Sequence, residues 1–268
     1  MPDLDPALTD ELTETALALA DAARPETLRW FRSDALSADN KEEAGFDPVT
    51  QADRDAEAAM RRVLAERRPS DAILGEEYGH SSGSTCLTWV LDPVDGTRAF
   101  LAGAPTWGVL IAVGDAAGPS IGVIDQPYIG ERFVGAGGRA WSVGPQGQRA
   151  LATRAPRPLA QATLLTTFPE VGEPDERAAF QAVARQARLT RYGLDCYAYA
   201  LVAAGQVDLV IEAGLQAYDI QGPMAVVQAA GGIVSDWRGN PAHEGGRVIA
   251  AANARIHAEA LALLRDVQ

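Results

Sequence analysis

Two periods of apolar and polar positions run through this 268-residue chain, and the elements change where one period gives way to the other. Leu8, Leu12, Ala16, Leu19 and Ala23 recur at helical spacing with acids between them, which predicts a helix over residues 6–23. Pro25 is expected to interrupt or restart it, with Leu28, Trp30 and Phe31 continuing an apolar face. Residues 33–48 are polar and predict a loop. A second helix is predicted over 50–67. Thr50 is a good N-cap, Asp53 stands where a capping-box acid sits, and Ala56, Met60, Val63 and Leu64 form the apolar side. After Pro69 the pattern shortens. Apolar runs at Ala72-Ile73-Leu74, Trp89-Val90-Leu91, 109–113, 121–127 and 131–136 are separated by Gly, Pro and polar residues. The last of these predict an antiparallel meander, with a further strand in 139–151 around a glycine-rich turn at 144–147.

The second half alternates. Strands are predicted at 164–167, 207–211, 233–237 and 248–251, and helices at 174–188, 194–204, 219–231 and 255–265. That alternation implies a mixed, layered α/β half. Composition shifts at Arg154-Ala155-Pro156-Arg157-Pro158, the expected boundary between an N-terminal α+β subdomain (1–153) and a C-terminal α/β subdomain (154–268). The fold class expected is α/β (α+β).

Composition narrows the function classes. With 36 acids against 23 bases the net charge is −13, which argues against nucleic-acid and anionic-membrane partners, since both need basic patches. The two cysteines, Cys86 and Cys196, form no Cys-x-x-Cys pair, so neither a disulfide framework nor a zinc site is expected. A reducing cytoplasm fits that usage, and neither a signal peptide nor a membrane-spanning apolar run is read in the chain.

The candidate chemistry centres on Trp89–Phe100. A buried strand is expected to stop at Asp92, because Pro93 cannot donate to a ladder. Asp95, Gly96 and Thr97 then read as a tight turn opening a helix. Two carboxylates three residues apart precede free backbone N–H groups there. Oxygen ligands suit Mg²⁺, and a helix N-terminus suits a phosphate.

Asp92-Pro93-Val94-Asp95-Gly96-Thr97 resembles the signature of the inositol-monophosphatase-like family of Mg²⁺-dependent phosphomonoesterases. So do Pro48-Val49-Thr50-Gln51-Ala52-Asp53, Gly75-Glu76-Glu77 and Tyr218-Asp219, in the family's order over nearly the whole chain. The resemblance implies a layered α/β/α/β/α sandwich of the inositol monophosphatase/fructose-1,6-bisphosphatase type, a homodimer, and two or three Mg²⁺ ions, with Mn²⁺ an alternative. It implies that Asp92 bridges two ions, with Glu76 and the Val94 carbonyl on one and Asp95 and Asp219 on the other. Asp53 and Glu76 would serve a third. Gly96 and Thr97 would hold the phosphate through their N–H groups. Thr97, helped by Asp53, would orient or deprotonate the attacking water. Simpler readings stand beside these: a helix-capping Asp53, a helix-start hydroxyl for Thr97, and a solvated surface Lys41 rather than one near the site. His80, His243 and His257 lie outside every motif and are expected at the surface.

On the leaving-group side the motifs resemble the histidinol-phosphate phosphatase branch. They are Asp95–Phe100, Gly103-x-Pro105-Thr106-Trp107-Gly108, residues 122–127 with Glu131-Arg132, and residues 193–199. Inositol-type relatives carry small residues where Asp195 and Cys196 stand, and Trp where Tyr218 stands. A small phosphate monoester with a cationic leaving alcohol, L-histidinol phosphate, is therefore the expected substrate, with Asp195 and Glu212 facing its amine and imidazole. The alternatives are a helix N-cap for Asp195 and a solvated strand end for Glu212. Rival functions are hydrolysis of inositol 1-phosphate and a non-catalytic metal-binding scaffold.

Overall fold

Helix α1 (Pro6–Trp30) runs unbroken through Pro25, where the sequence predicts an interruption. Packing on either side outweighs the lost backbone bond. Ala23 and Thr27 are fully buried, and Arg24 donates to the buried Asp125 at 2.6 Å. The structure, a computed structural model, describes residues 5–40 and 48–265, so Lys41 lies outside the described residues. An antiparallel ribbon of β1 (Ala38–Asn40) and β2 (Pro48–Thr50) leads into α2 (Gln51–Arg67), which opens on the expected Thr50–Asp53 capping box.

Strands β3 (Ala72–Gly75), β4 (Gly79–Ser81) and β5 (Thr88–Asp95) precede the short helix α3 (Thr97–Leu101). Then come β6 (Gly108–Asp115), β7 (Gly118–Gln126), β8 (Glu131–Ala136), β9 (Arg139–Gly144) and β10 (Gly147–Ala150). These eight strands form one sheet in the order β10-β9-β8-β7-β6-β5-β3-β4. From β6 to β10 it is the predicted meander, with 139–151 resolved into a hairpin of two strands, and β5 adds a further antiparallel partner to β6. Strand β5 continues past Pro93, which sits in a bulge between Asp92 and Asp95, where its missing N–H is tolerated.

The second half supplies β11 (Thr163–Thr166), α4 (Pro174–Ala184), β12 (Leu189–Tyr192), α5 (Tyr197–Ala203) and β13 (Leu209–Leu215). It ends with α6 (Ala217–Ala229), β14 (Ile233–Ser235), β15 (Gly246–Ala251) and α7 (Ala254–Leu264). Its sheet runs β12-β11-β13-β15-β14.

Five layers result. The pair α1/α2 covers one face of the large sheet, α5/α6 fill the space between the two sheets, and α4/α7 cover the far face of the small one. Both faces of β6 and β7 are covered, which is why they read as near-continuous apolar runs. Helix α6 lies almost on the strands beneath it: a Cβ at Gly122 would stand 2.3 Å from the Gly222 carbonyl, and one at Gly135 2.5 Å from that of Ala225. That close approach delivers the first turn of α6 to the end of the large sheet.

Candidate active site

Strand pairing assembles the acids. Strand β3 runs parallel to β5 with Gly75 opposite Leu91, and the Glu76 N–H donates to the Leu91 carbonyl at 3.1 Å. Glu76 and Asp92 therefore leave the same edge of the sheet side by side. Asp92 and Asp95 are three residues apart and would point to opposite faces of a regular strand. The bulge supplies one extra residue, with Asp92 opposite Leu110 and Asp95 opposite Gly108, and returns both carboxylates to one side.

Two helices bring the remaining acids by the same device. Asp53 is the third residue of α2, and its Oδ2 accepts the Thr50 N–H at 2.8 Å and the Thr50 hydroxyl at 2.6 Å. Asp219 is the third residue of α6, and its Oδ2 accepts the Gln216 N–H at 2.6 Å. In both, Oδ2 accepts the cap N–H, so capping and facing the site are compatible. Carboxylate oxygens of Asp92, Asp95 and Asp219 all lie within 4.8 Å of one another, as do those of Asp53, Glu76 and Glu77.

Gly96 holds φ at +84°, in the left-handed region, and a Cβ there would meet the Asp195 carboxyl at 2.8 Å. The position thus requires glycine on two counts. Beyond it the Thr97 hydroxyl donates to the Val94 carbonyl at 3.1 Å, while the Val94 side chain is buried with Phe100 and Trp107. A cavity of about 290 Å³ opens here, and Glu76, Asp92, Asp95, Thr97, Asp195, Glu212 and Asp219 all line it. Asp53 is not on that wall and reaches the site through Glu76 and Glu77.

Neither alternative for the second pair of acids describes where they stand. Helix α5 begins at Tyr197 rather than 194, with Cys196 at its N-cap, so the Asp195 side chain is not the cap of that helix. It adopts φ +45°, and its Oδ2 accepts the Thr106 hydroxyl at 3.0 Å. Glu212 is 7 % exposed. It accepts the Thr166 hydroxyl at 3.0 Å, and the N–H and hydroxyl of Thr167 at 2.7 and 2.9 Å. Of the histidines, His80 is exposed, whereas His243 and His257 depart from the surface expectation: both are half-buried, and His257 Nε2 lies 2.7 Å from the Ser235 hydroxyl. None of the three lines the cavity.

Several residues of the site were not legible in the sequence. Glu77 joins the Asp53–Glu76 group, although a second acid in a loop reads as surface. Thr106 holds Asp195, and Thr166 and Thr167 hold Glu212. Arg98 stacks over Phe168 at 5.0 Å on the cavity rim, a pairing of residues 70 positions apart that no local pattern signals.

Like charges at this density raise one another's pKa. Burial pushes Asp92 well above the ordinary carboxylate range, and Glu76, Asp95 and Asp219 push it further. Burial, Asp195 and Asp219 do the same to Asp95, against the pull of the Cys196 N–H at 2.6 Å. Asp53 rises from 3.8 to about 7, mainly by burial, with the Thr50 hydrogen bonds pulling it back and Glu76 and Glu77 adding to the rise. Glu212 rises from 4.5 to about 7, again by burial, against its threonine donors.

These clusters fit a hard divalent cation: the donors are all oxygens, and their mutual repulsion is relieved by positive charge or by protons. In metal-free protein the raised values make acid pH stabilising. The folded state holds protons that the unfolded state has released, so this stability is complete below about pH 4 and is lost as pH rises to about 7. Cations take the place of those protons. The gain in unfolding temperature on adding Mg²⁺ over EDTA should therefore widen from pH 5 to pH 8. A gain of constant size across that range in thermal melts would mean that these carboxyls do not bind the ion.

A model of the inositol monophosphatase family matches residues 8–268. The chain belongs to that family. Inositol monophosphatase family proteins are metal-dependent phosphatases, so this chain is of a hydrolase family. It is 37 % identical to the chloroplastic bifunctional phosphatase IMPL2 of Arabidopsis thaliana, covering 97 % of this chain and 79 % of that protein. With the histidinol-phosphatase of Mycobacterium tuberculosis identity is 35 % over 93 % of this chain and 96 % of the other. Among solved structures, an inositol monophosphatase from Zymomonas mobilis superposes with a TM-score of 0.85 at 37 % identity, covering 98 % of this chain and all (100 %) of that one. No helix among the described residues is long and apolar enough to cross a membrane.

Proposed function

We propose that this protein hydrolyses L-histidinol phosphate to L-histidinol and phosphate with two or three Mg²⁺ ions, or Mn²⁺, held by Asp53, Glu76, Asp92, Asp95, Asp219 and the Val94 carbonyl. The observation that carries the substrate is the second pair of acids. Asp195 and Glu212 line the same cavity as the Asp92–Asp95–Asp219 group without belonging to it, with Asp195 close enough to raise the Asp95 carboxyl, and the two would face the leaving alcohol. An amine and an imidazole there would meet carboxylates, and the relative from Mycobacterium tuberculosis carries that activity in its name.

Bound cations would lower the pKa of a water and neutralise phosphate oxygens. The protein's own contributions are positional. The Thr97 proton is committed to the Val94 carbonyl, which leaves its oxygen lone pairs to accept a hydrogen bond from the attacking water and orient it, while the water's proton would pass to a carboxylate such as Glu76 on the same cavity wall. The N–H groups of Gly96 and Thr97 would hold the phosphate as its charge shifts toward the leaving oxygen.

A charge-assisted hydrogen bond contributes about 1.5–3 kcal/mol, roughly ten- to a hundredfold in kcat/KM. Asp195→Asn and Glu212→Gln should each cost that much on histidinol phosphate and far less on β-glycerophosphate, which offers no cation. Equal losses on both esters would assign the two acids to supporting the site instead. A second reading, inositol 1-phosphate, draws on the 37 % identity to the Zymomonas mobilis enzyme. Faster wild-type turnover of inositol 1-phosphate than of histidinol phosphate would establish it. Phosphate release from no ester, with or without Mg²⁺, would leave the non-catalytic scaffold.

A further inference from the structure

Helix α2 carries a second acid one turn after Asp53, on the same side, and the chemistry above makes no use of it. Glu57 is fully buried, at 0 % exposure. Its Oε2 accepts the Glu77 N–H at 2.7 Å, and its Oε1 accepts the Tyr78 N–H at 3.3 Å and the Arg61 Nε at 2.7 Å. Arg61 reaches across in turn and donates to the Gly79 carbonyl at 2.5 Å and the Ser81 hydroxyl at 2.9 Å. Glu57 and Arg61 thus grip the β3–β4 turn from both sides. Glycine at 75 is what admits the grip: a Cβ there would lie 1.9 Å from Glu57 Oε1. The turn so held is the one that presents Glu76 and Glu77 to Asp53.

We propose that Glu57, held by Arg61, is a positioning residue that fixes the Glu76–Glu77 turn against Asp53 and Asp92 and so sets the affinity of the site for its cation. The proposal rests on the reading of Glu76 as a cation ligand. An anion is suited to the task because it accepts two adjacent backbone N–H groups at once. Arg61 neutralises it, so Glu57 adds little to the negative potential of the acids it positions. Stability alone is a poor reason for such a pair, since a buried ion pair contributes little net to folding once its desolvation is counted. Glu57→Gln replaces one acceptor by a donor, which cannot serve both the turn and Arg61.

Binding of Mn²⁺, followed by the electron paramagnetic resonance of the free ion, and of Mg²⁺, followed by calorimetry, tests this on the full chain. Groups that orient metal ligands typically change affinity by about 10–100-fold. Glu57→Gln should raise the cation dissociation constant at least tenfold and shift the Mg²⁺ dependence of phosphate release by the same factor. Its kcat at saturating Mg²⁺ should approach wild type, because Glu57 touches neither ion nor ester. Arg61→Gln should weaken binding in the same direction by less, and it carries the test if Glu57→Gln does not fold. Glu76→Gln is the reference. Cation affinity unchanged in Glu57→Gln but lowered in Glu76→Gln would overturn the positioning role, and a lowered unfolding temperature alone would then describe Glu57. Affinity unchanged in Glu76→Gln would overturn the ligand assignment and the proposal with it.

Discussion

Asp92→Asn is expected to lower kcat/KM by about 10³-fold or more, roughly 4 kcal/mol of transition-state stabilisation. Asp92 stands where the two acid groups meet: its carboxyl feels Glu76 on one side and Asp95 and Asp219 on the other. Removing its charge weakens cation binding to both groups at once. The fold should not suffer. The side chain is 1 % exposed, and the Val94 N–H that donates to Oδ1 at 3.0 Å is kept by the asparagine carbonyl. Loss of a buried like charge also relieves repulsion. In EDTA the variant should melt at or above the wild-type temperature, while Mg²⁺ should stabilise it less. Phosphate-release assays and thermal melts check both halves. Activity above a tenth of wild type at ordinary Mg²⁺ would remove Asp92 from the centre of the chemistry.

Thr97→Ala should lower kcat about 10²-fold with KM nearly unchanged, because aligning the attacking water by a hydrogen bond is worth that much in the transition state and little in the ground state. The N–H groups of Gly96 and Thr97 survive the substitution, so the phosphate keeps its contacts. Thr97→Ser keeps the hydroxyl, its bond to the Val94 carbonyl and most of the rate. Steady-state kinetics on the three proteins decides the point. Normal kcat with raised KM in Thr97→Ala, or a serine variant as slow as the alanine, would assign Thr97 to binding or to packing.

Helix α2 shows how far local signals reach. Its start, its apolar side and the Thr50–Asp53 box were all readable, because capping and helical periodicity act within a few residues. The meander was readable for the same reason. The strand-helix alternation of the second half was readable too, although β12 there, like β4 in the first half, is short and too polar to show. Pro25 and Pro93 misled in the same way. Each breaks a local rule, and each is accommodated by long-range structure: α1 is pinned by Arg24 to Asp125, and β5 bulges beside β6.

By itself the sequence determined the family motifs, the acids at 53, 76, 92, 95 and 219, and the layered α/β pattern, because those depend on residue types at short spacings. The tertiary structure decided how the acids meet. Parallel pairing of β3 with β5 sets Glu76 beside Asp92, the bulge turns Asp92 and Asp95 to one side, and glycines under α6 let Asp219 approach. It also decided what holds the acids there: Glu57 and Arg61 behind Glu76 and Glu77, and the threonines around Asp195 and Glu212. Such contacts join residues up to about a hundred positions apart. Their energies depend on burial and on the charges that folding brings near, and no single stretch of the chain contains either.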